Sequence, residues 1–326
     1  MKIRAFFSIT IVIASLINWP MNAIANDSFP SRVVKVIVPY PAGGTVDNVV
    51  RLYTERLSKM WGTQVVVENK PGADGNIGVT EAMRGSTDGH TLLVHGPAMV
   101  ANPSLYSNLT WHPSRNFRTL GVLAWVPQIA VAATDVPAKT MRELENLARK
   151  DPGKLFYGVP GAGSGNNLST QLFLQAVGVE MTPVQYKGQP EAVMDLLANR
   201  LNFMFVSPSI VLQHISSGKL RALAIAGPSR LPQLPDTPTM AESGYPSAVR
   251  PFWFSMFALA GTPEQVLQKI NADLVKVAGT GEVQAALRAG GYQPPSALTV
   301  TQADSLVRLD TEAWGSVIRK AGIKAE

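Results

Sequence analysis

The 326-residue sequence contains no cysteine. Disulfide frameworks, zinc–thiolate centres and cysteine nucleophiles are therefore excluded. Charge is also sparse, at 16% of residues. No run of Lys or Arg occurs, and no basic stripe interleaved with aromatics, so the footprint of a nucleic-acid binder is missing. Past the N-terminus no stretch of 18 apolar residues appears, which leaves no candidate for a spanning helix. Glycine (27) and proline (24) are plentiful but not periodic, which excludes collagen. What is present is a 46% hydrophobic chain with mean hydropathy +0.08. That composition excludes a disordered chain, and the length suits two domains.

The N-terminus reads as an address. Lys2 and Arg4 form a positive start, Phe6 to Ile17 is almost wholly apolar, and Ala23-Ile24-Ala25 places small residues at −3 and −1 of a cleavage site. This is the order of a secretory signal peptide. The competing reading is a membrane anchor, but an apolar run of ~12 residues falls short of the ~20 that span a bilayer. The expectation is a signal peptide over 1–25, cleavage after Ala25 and a periplasmic protein. Without Lys2 and Arg4, 27 bases face 23 acids, a net charge of +4. A mild positive field suits an anionic small ligand.

Short strands alternate with helices along the rest. Arg32 to Val38 reads as a buried strand ended by Pro39 and Pro41. From Val46, apolar residues at 49, 50, 53, 57 and 60 mark a helix face. Strands at 64–68 and 91–94 flank a helix at 75–83, which predicts a largely parallel sheet with helices on both faces. A second unit follows, with strands at 129–133, 155–158, 182–186, 202–206 and 222–225. Its helices fall at 141–150, 168–177 and 192–198. An irregular passage from Gly227 to Pro251 carries six prolines. Two helices close the chain, one on Val266, Ile270, Leu274 and Val277, the other on Leu306, Leu309, Trp314 and Ile318. The expectation is a two-lobed α/β protein, each lobe a mixed, mostly parallel sheet. Residues 26–127 plus 252–326 form a discontinuous lobe 1, and 128–251 form lobe 2.

Two turns carry candidate chemistry. Tyr40-Pro41-Ala42-Gly43-Gly44-Thr45-Val46-Asp47 joins a strand end to a helix start. There, glycines let backbone N–H groups approach a ligand, and the helix dipole favours an anion. Gly161-Ala162-Gly163-Ser164-Gly165-Asn166-Asn167 repeats the design in the second unit. Either could equally be a tight turn that touches nothing. A dinucleotide fingerprint is disfavoured, because the spacing is G-x-G-x-G and Glu180 precedes its strand. Ser164 is not flanked as in a nucleophile elbow. His90 and His95 bracket a strand and make a poor metal pair. His95 sits at a strand's end, a ligand position in open α/β sheets, but reads as a solvated loop residue. Ser, His and Asp occur without any sign of a triad. Together the two turns describe a clamshell that holds an anion between lobes. A hydrolase or transferase would need a nucleophile–base pair that is not found, and a pure interaction protein would leave two anion-type turns unexplained.

Several longer motifs resemble one family. They are Val38-Pro39-Tyr40-Pro41-Ala42-Gly43-Gly44 with Asp47 and Arg51, then Val65 to Gly78 (VVVENKPGADGNIG), Asp88-Gly89-His90-Thr91-Leu92-Leu93 and Asn102-Pro103-Ser104-Leu105-Tyr106. Lobe 2 adds Tyr186-Lys187-Gly188, Gly218 to Ala224 (GKLRALA) and Leu234 to Thr239 (LPDTPT). Over nearly the whole chain after residue 25, the sequence resembles the Bug (TctC-type) solute receptors of tripartite tricarboxylate transporters. The resemblance implies a type II-like periplasmic binding fold that closes on its ligand by a hinge. It also implies a small organic carboxylate as ligand, a two-subunit membrane permease as partner, and neither cofactor, metal nor catalysis. A monomer is expected. An orphan carboxylate sensor, or an exported enzyme on the same fold, is the alternative. The implied ligand contacts fall on Tyr40, Ala42, Gly43, Gly44, Thr45 and Asp47, on the loop Pro97, Ala98 and Met99, on Gly161, Gly163, Ser164, Gly165, Asn166 and Asn167, and on Val206.

Three departures from the family pattern bear on the ligand. Asn167 stands where the family often has His. Gly96 to Val100 is more apolar than the usual Thr/Ser-rich loop. Val206 ends a strand that usually ends in Asp. A less polar pocket without that Asp predicts a carboxylate lacking an ammonium group, with an apolar or aromatic body, because an unpaired buried charge is costly. Glu191 and Asp195 are alternative acids that could reach the cleft.

Overall fold

The structure, a computed structural model, describes residues 29–248 and 250–325. The expected signal peptide lies outside them. In chain order the elements begin with β1 (Val34–Val38), α1 (Thr45–Trp61), β2 (Val65–Asn69), α2 (Asn76–Ala82), β3 (Thr91–His95), α3 (Ala98–Leu105), α4 (Pro113–Asn116) and β4 (Phe117–Val126). A second set follows: β5 (Gln128–Ala132), α5 (Met141–Lys150), β6 (Phe156–Val159), α6 (Gly165–Val177), β7 (Thr182–Gln185), α7 (Gln189–Leu197), β8 (Phe203–Val206), α8 (Pro208–Ser216) and β9 (Arg221–Ala226). The chain then returns through β10 (Phe252–Leu259), α9 (Glu264–Ala278), α10 (Gly281–Ala289) and α11 (Val300–Ala321).

Among the described residues ten strands make two five-stranded sheets, ordered β2-β1-β3-β10-β4 and β7-β6-β8-β5-β9. Each sheet has one strand running against the other four, β10 in the first and β5 in the second. Both occupy the fourth position. Each sheet is therefore mixed and mostly parallel, and the two lobes share one plan. Crossover helices cover the parallel strands, which accounts for β1 being buried at four of its five positions. The residues of β4 and β10, which the sequence reading left unassigned, pair with one another along nearly their full length.

Each sheet has its own apolar core. The first joins Val34, Leu57, Leu92 and Leu123 to Phe257, Ile270, Trp314 and Ile318 of the returning segment. The second gathers Ile129, Leu144, Tyr157, Phe173, Phe203 and Ile225. Complete burial of one such side chain is worth ~1.5–3 kcal/mol. Helix ends follow local chemistry. Ser164 accepts from the Asn167 N–H and starts α6 at Gly165, three residues before the sequence reading placed it. Thr299 and Gln302 form a capping box on α11.

Two passages cross between the sheets. At the first, β4 runs through Pro127 straight into β5. At the second, the proline-rich segment after β9 returns to β10. There Asp310 of α11 accepts from Arg250 (2.9 Å) and from Trp253 Nε1 (2.7 Å), and Phe252 stacks on Trp314 at 5.0 Å. No helix among the described residues is long and apolar enough to cross a membrane.

Candidate functional site

The Pro39–Gly44 turn leaves β1 at the end where β3 also finishes, and α1 starts beyond it. Ala42 and Gly43 are exposed, and Gly44 and Thr45 half-buried. Gly43 is left-handed (φ +75°), which suits glycine. The first N–H groups of α1, at Thr45, Val46 and Asp47, have no acceptor within the helix. Asp47 faces inward and is 2% exposed. Its carboxylate accepts from Gly43 N–H (2.8 Å), Arg51 Nε (2.8 Å) and Asn69 Nδ2 (2.9 Å). Burial pushes its pKa up, but bonds from Arg51, Asn69 and Gly43 outweigh that and hold it below the usual value. Asp47 thus shapes the turn rather than facing across it. Asn69 also donates to Tyr40 O (3.0 Å), so β2 and α1 together pin both ends of the loop.

Tyr40 leans on His95, ring against ring at 5.5 Å and 80°. His95 Nδ1 accepts from Gly96 N–H (2.8 Å) and lies 3.1 Å from Tyr40 Oη. An acceptor at Nδ1 makes Tyr40 the donor and puts the ring proton on Nε2. His95 is 0% exposed, a correction to its reading as a solvated loop histidine. Space for the ring exists because residue 75 is glycine, where a Cβ would stand 2.6 Å from Nε2. Burial lowers the His95 pKa to about 3, against a smaller opposing effect of the Gly96 amide. The imidazole is neutral at any physiological pH. Burial likewise raises the Tyr40 phenol.

In lobe 2, Ser164 Oγ donates to Gly161 O (2.7 Å) and accepts from Asn167 N–H (3.3 Å). Asn167 Nδ2 donates to Ala162 O (2.8 Å), while its buried Oδ1 has no donor among the described residues. Asn166 points into its own lobe, donating to Phe205 O (2.6 Å) and Gln128 Oε1 (3.3 Å). Val206 pairs with Ile129 in the sheet and is 0% exposed within the lobe 2 core, so its side chain adds no accessible surface to the cleft. Asp195 bonds Tyr186 Oη (2.8 Å) and Arg200 (2.8 Å), and Glu191 accepts from Lys187 N–H (3.2 Å). Both acids are engaged around α7.

The lobes meet at these turns. Pro97, the N-cap of α3, lies against Gly165, where an added Cβ would be 3.3 Å from Pro97 Cγ. Ala98 and Met99 follow, 5% and 0% exposed. Phe254 of β10 packs on Gly96 and sets its ring 6.4 Å from Tyr292, edge to face. Tyr292 Oη bonds Ser209 Oγ of α8 (2.7 Å), and the Thr45 side chain of α1 lies near the same hydroxyl. Thr45, Pro97 and Gly165 thus mark three helix N-termini, from both lobes, around an aromatic and apolar floor, with α8 entering beside them. Phe254, Tyr292, Ser209, Asn69 and His95 all escaped the sequence reading as site residues. The only local signal for α8 was Pro208 after a strand end, the same device as Pro39 and Pro41. Two other cavities, about 420 Å³ on lobe 2 around Tyr157 and Gln171 and about 380 Å³ on lobe 1 around Tyr106 and Trp111, include no residue of either glycine turn.

Two α/β lobes joined by two crossings, with helix N-termini from each converging on one cleft, define a periplasmic-type solute-binding protein. The model of the tripartite tricarboxylate transporter family receptor (TctC) matches residues 49–323, and the chain belongs to that family. It is 33% identical over 293 residues to the UPF0065 protein in the tcbD-tcbE intergenic region of Pseudomonas sp. (strain P51), covering 90% of this chain and 87% of that one. Among solved structures it is similar to Rpa4515 of R. palustris with adipate (TM-score 0.84, 31% identity, 91% of this chain and 99% of that one). It is also similar to MatC (Rpa3494) of Rhodopseudomonas palustris with bound malate (TM-score 0.81, 28% identity, 89% and 100%).

Proposed function

We propose that this protein is an extracytoplasmic receptor that binds a small carboxylate in the interlobe cleft and delivers it to a two-subunit tripartite tricarboxylate-type permease. The carrying observation is the pair of helix N-termini, α1 and α6, that face the cleft from opposite lobes, α1 without a side-chain cap and α6 with its Asn167 N–H capped by Ser164. Each end suits one carboxylate. The ligands in the two similar structures, adipate and malate, are both dicarboxylates. The lobes divide at Pro127 and within the segment after β9, and bending there closes the cleft. Residues 1–25 are removed on export.

Phe254 and Tyr292 supply the apolar floor between the two anion-type turns, whereas Met99, 0% exposed, adds no accessible surface and is set aside as a ligand contact. A ligand with an aliphatic or aromatic body gains ~25 cal/mol per Å² of apolar area buried there. Glu191 and Asp195 are spent within lobe 2, so an ammonium group would find neither acid free. The favoured ligands are mono- and dicarboxylates such as adipate, ahead of aspartate, glutamate and citrate. The test is a thermal-shift and calorimetric titration of residues 26–326 with both sets. A specific ligand at 100 times its Kd adds ~2.7 kcal/mol, a melting shift of roughly 5–10 °C for domains of this size. Tight binding of an amino acid with no response to the aliphatic and aromatic acids would overturn the ligand class. Turnover of the bound acid, followed by NMR, would overturn the receptor.

A further inference from the structure

The glycines of the lobe 2 turn recur at every second residue, Gly161, Gly163 and Gly165. Only Gly161 is left-handed (φ +148°). Gly163 and Gly165 occupy backbone that any residue adopts, and Gly165 opens a helix, where glycine is a poor choice. Backbone conformation does not explain them, but their neighbours do. A Cβ at Gly163 would stand 2.7 Å from Asn102 Oδ1 and 3.1 Å from Leu105 Cδ1. One at Gly165 would stand 3.3 Å from Phe252, and one at Gly161 would overlap the Asp74 carboxylate. Every one of these neighbours lies on the first sheet's side of the cleft.

The surface they meet is tied together by two motifs, Asp74-Gly75-Asn76 and Asn102 to Tyr106. Asn102 Nδ2 donates to Asp74 O (3.1 Å) and Asn76 Oδ1 (3.0 Å). Tyr106 Oη donates to Asp74 Oδ2 (3.1 Å). Asn102 is 0% exposed, and its Oδ1, turned toward Gly163, has no donor among the described residues. A buried carbonyl without a donor is unfavourable, so this contact costs energy unless something else favours the closed arrangement.

We propose that Gly161, Gly163 and Gly165 form the closing face of lobe 2, and that the Asp74–Asn102–Tyr106 cluster is the seat that receives it when a ligand is held. The proposal rests on the receptor reading, since only a hinged receptor needs faces that meet and part. A side chain at Gly163 stops the lobes short while each folds as before, and a ligand that needs closure then binds weakly.

The chain has no cysteine, so one spin label per lobe can be placed without background. Met60 on lobe 1 and Met194 on lobe 2 are exposed and suit M60C and M194C. Electron–electron distances are measured with and without adipate, alone and with Gly163→Ala, alongside calorimetry and melting. The expected result is a short-distance population that Gly163→Ala abolishes, at an unchanged or slightly higher melting temperature. Adipate affinity should fall about tenfold or more, because the apparent Kd rises as the closed fraction shrinks. A Gly163→Ala protein that closes and binds like wild type overturns the proposal, as does one that melts early, which would place the glycine's role inside lobe 2. If adipate fails to bind yet Gly163→Ala still lengthens the distance, the ligand reading fails and the closing face stands.

Discussion

Asp47→Ala tests whether the first glycine turn is built from outside itself. The wild-type carboxylate holds Gly43 of the turn, Arg51 one helical turn on, and Asn69 of β2. Hydrogen bonds to a charged group are worth ~1.5–3 kcal/mol each, but they do not simply add here. Gly43 is exposed and Arg51 is about half exposed, so water replaces much of what those two lose. Asn69 keeps its bond to Tyr40 O. The net loss is then ~2–4 kcal/mol. For a protein of this size that lowers Tm by roughly 5–15 °C. Carboxylate affinity falls as well, because Gly43 and the α1 amides lose their fixed direction. The pH dependence has a definite sign. Asp47 is held below its ordinary pKa in the fold, so its stabilisation is complete above the unfolded value of ~3.9 and is lost as pH falls through the lower folded value. The wild-type and Asp47→Ala melting curves should differ by a constant amount from pH 5 to 8 and converge only in strong acid. Calorimetry across that range is the assay. A variant that melts with wild type and binds equally well would refute the reasoning.

Tyr292→Phe removes the hydroxyl that bonds Ser209 of the opposite lobe; ligand affinity should drop by ~2–10-fold, the worth of one hydrogen bond at 0.5–1.5 kcal/mol, with a small change in Tm, and calorimetry decides. His95, with its pKa lowered to about 3 by burial, should show no imidazole titration by NMR between pH 5 and 8. A titration midpoint near 6.5 would mean that the ring is solvated and that Tyr40 is held by something else.

Much of the fold could be read along the chain because its signals are local. The β1 strand, the apolar face of α1 and the Gly-rich turns are each written in under twenty residues. The strands β4 and β10 were not legible for a different reason. Each is buried on both faces, so neither alternates, and a short apolar run cannot be told from a buried helix by period alone. The site divides the same way. Tyr40, Gly43 and Ser164 were readable as a strand-to-helix device. His95 was misjudged because its burial depends on a glycine twenty residues earlier, and Asp47, implied as a ligand contact, instead turns inward to partners that include Asn69 on another strand. Gly163 was read as a ligand cradle, yet its nearest neighbour is Asn102. No spacing rule links those two positions.

The position of β10 has a consequence for how the molecule comes into being. It lies between β3 and β4, yet it is made more than a hundred residues after either of them. All five strands of the second sheet are contiguous in sequence, so that sheet can finish while the first still waits with two open edges. A chain emerging N-terminus first therefore assembles its middle before its beginning, and the first sheet closes by insertion of a late strand. Such distant pairing is slow and leaves strand edges open to other chains. Newly made protein should thus spend its most vulnerable interval with lobe 2 folded and lobe 1 incomplete, and a chain cut short before Phe252 should keep the second sheet while losing the first.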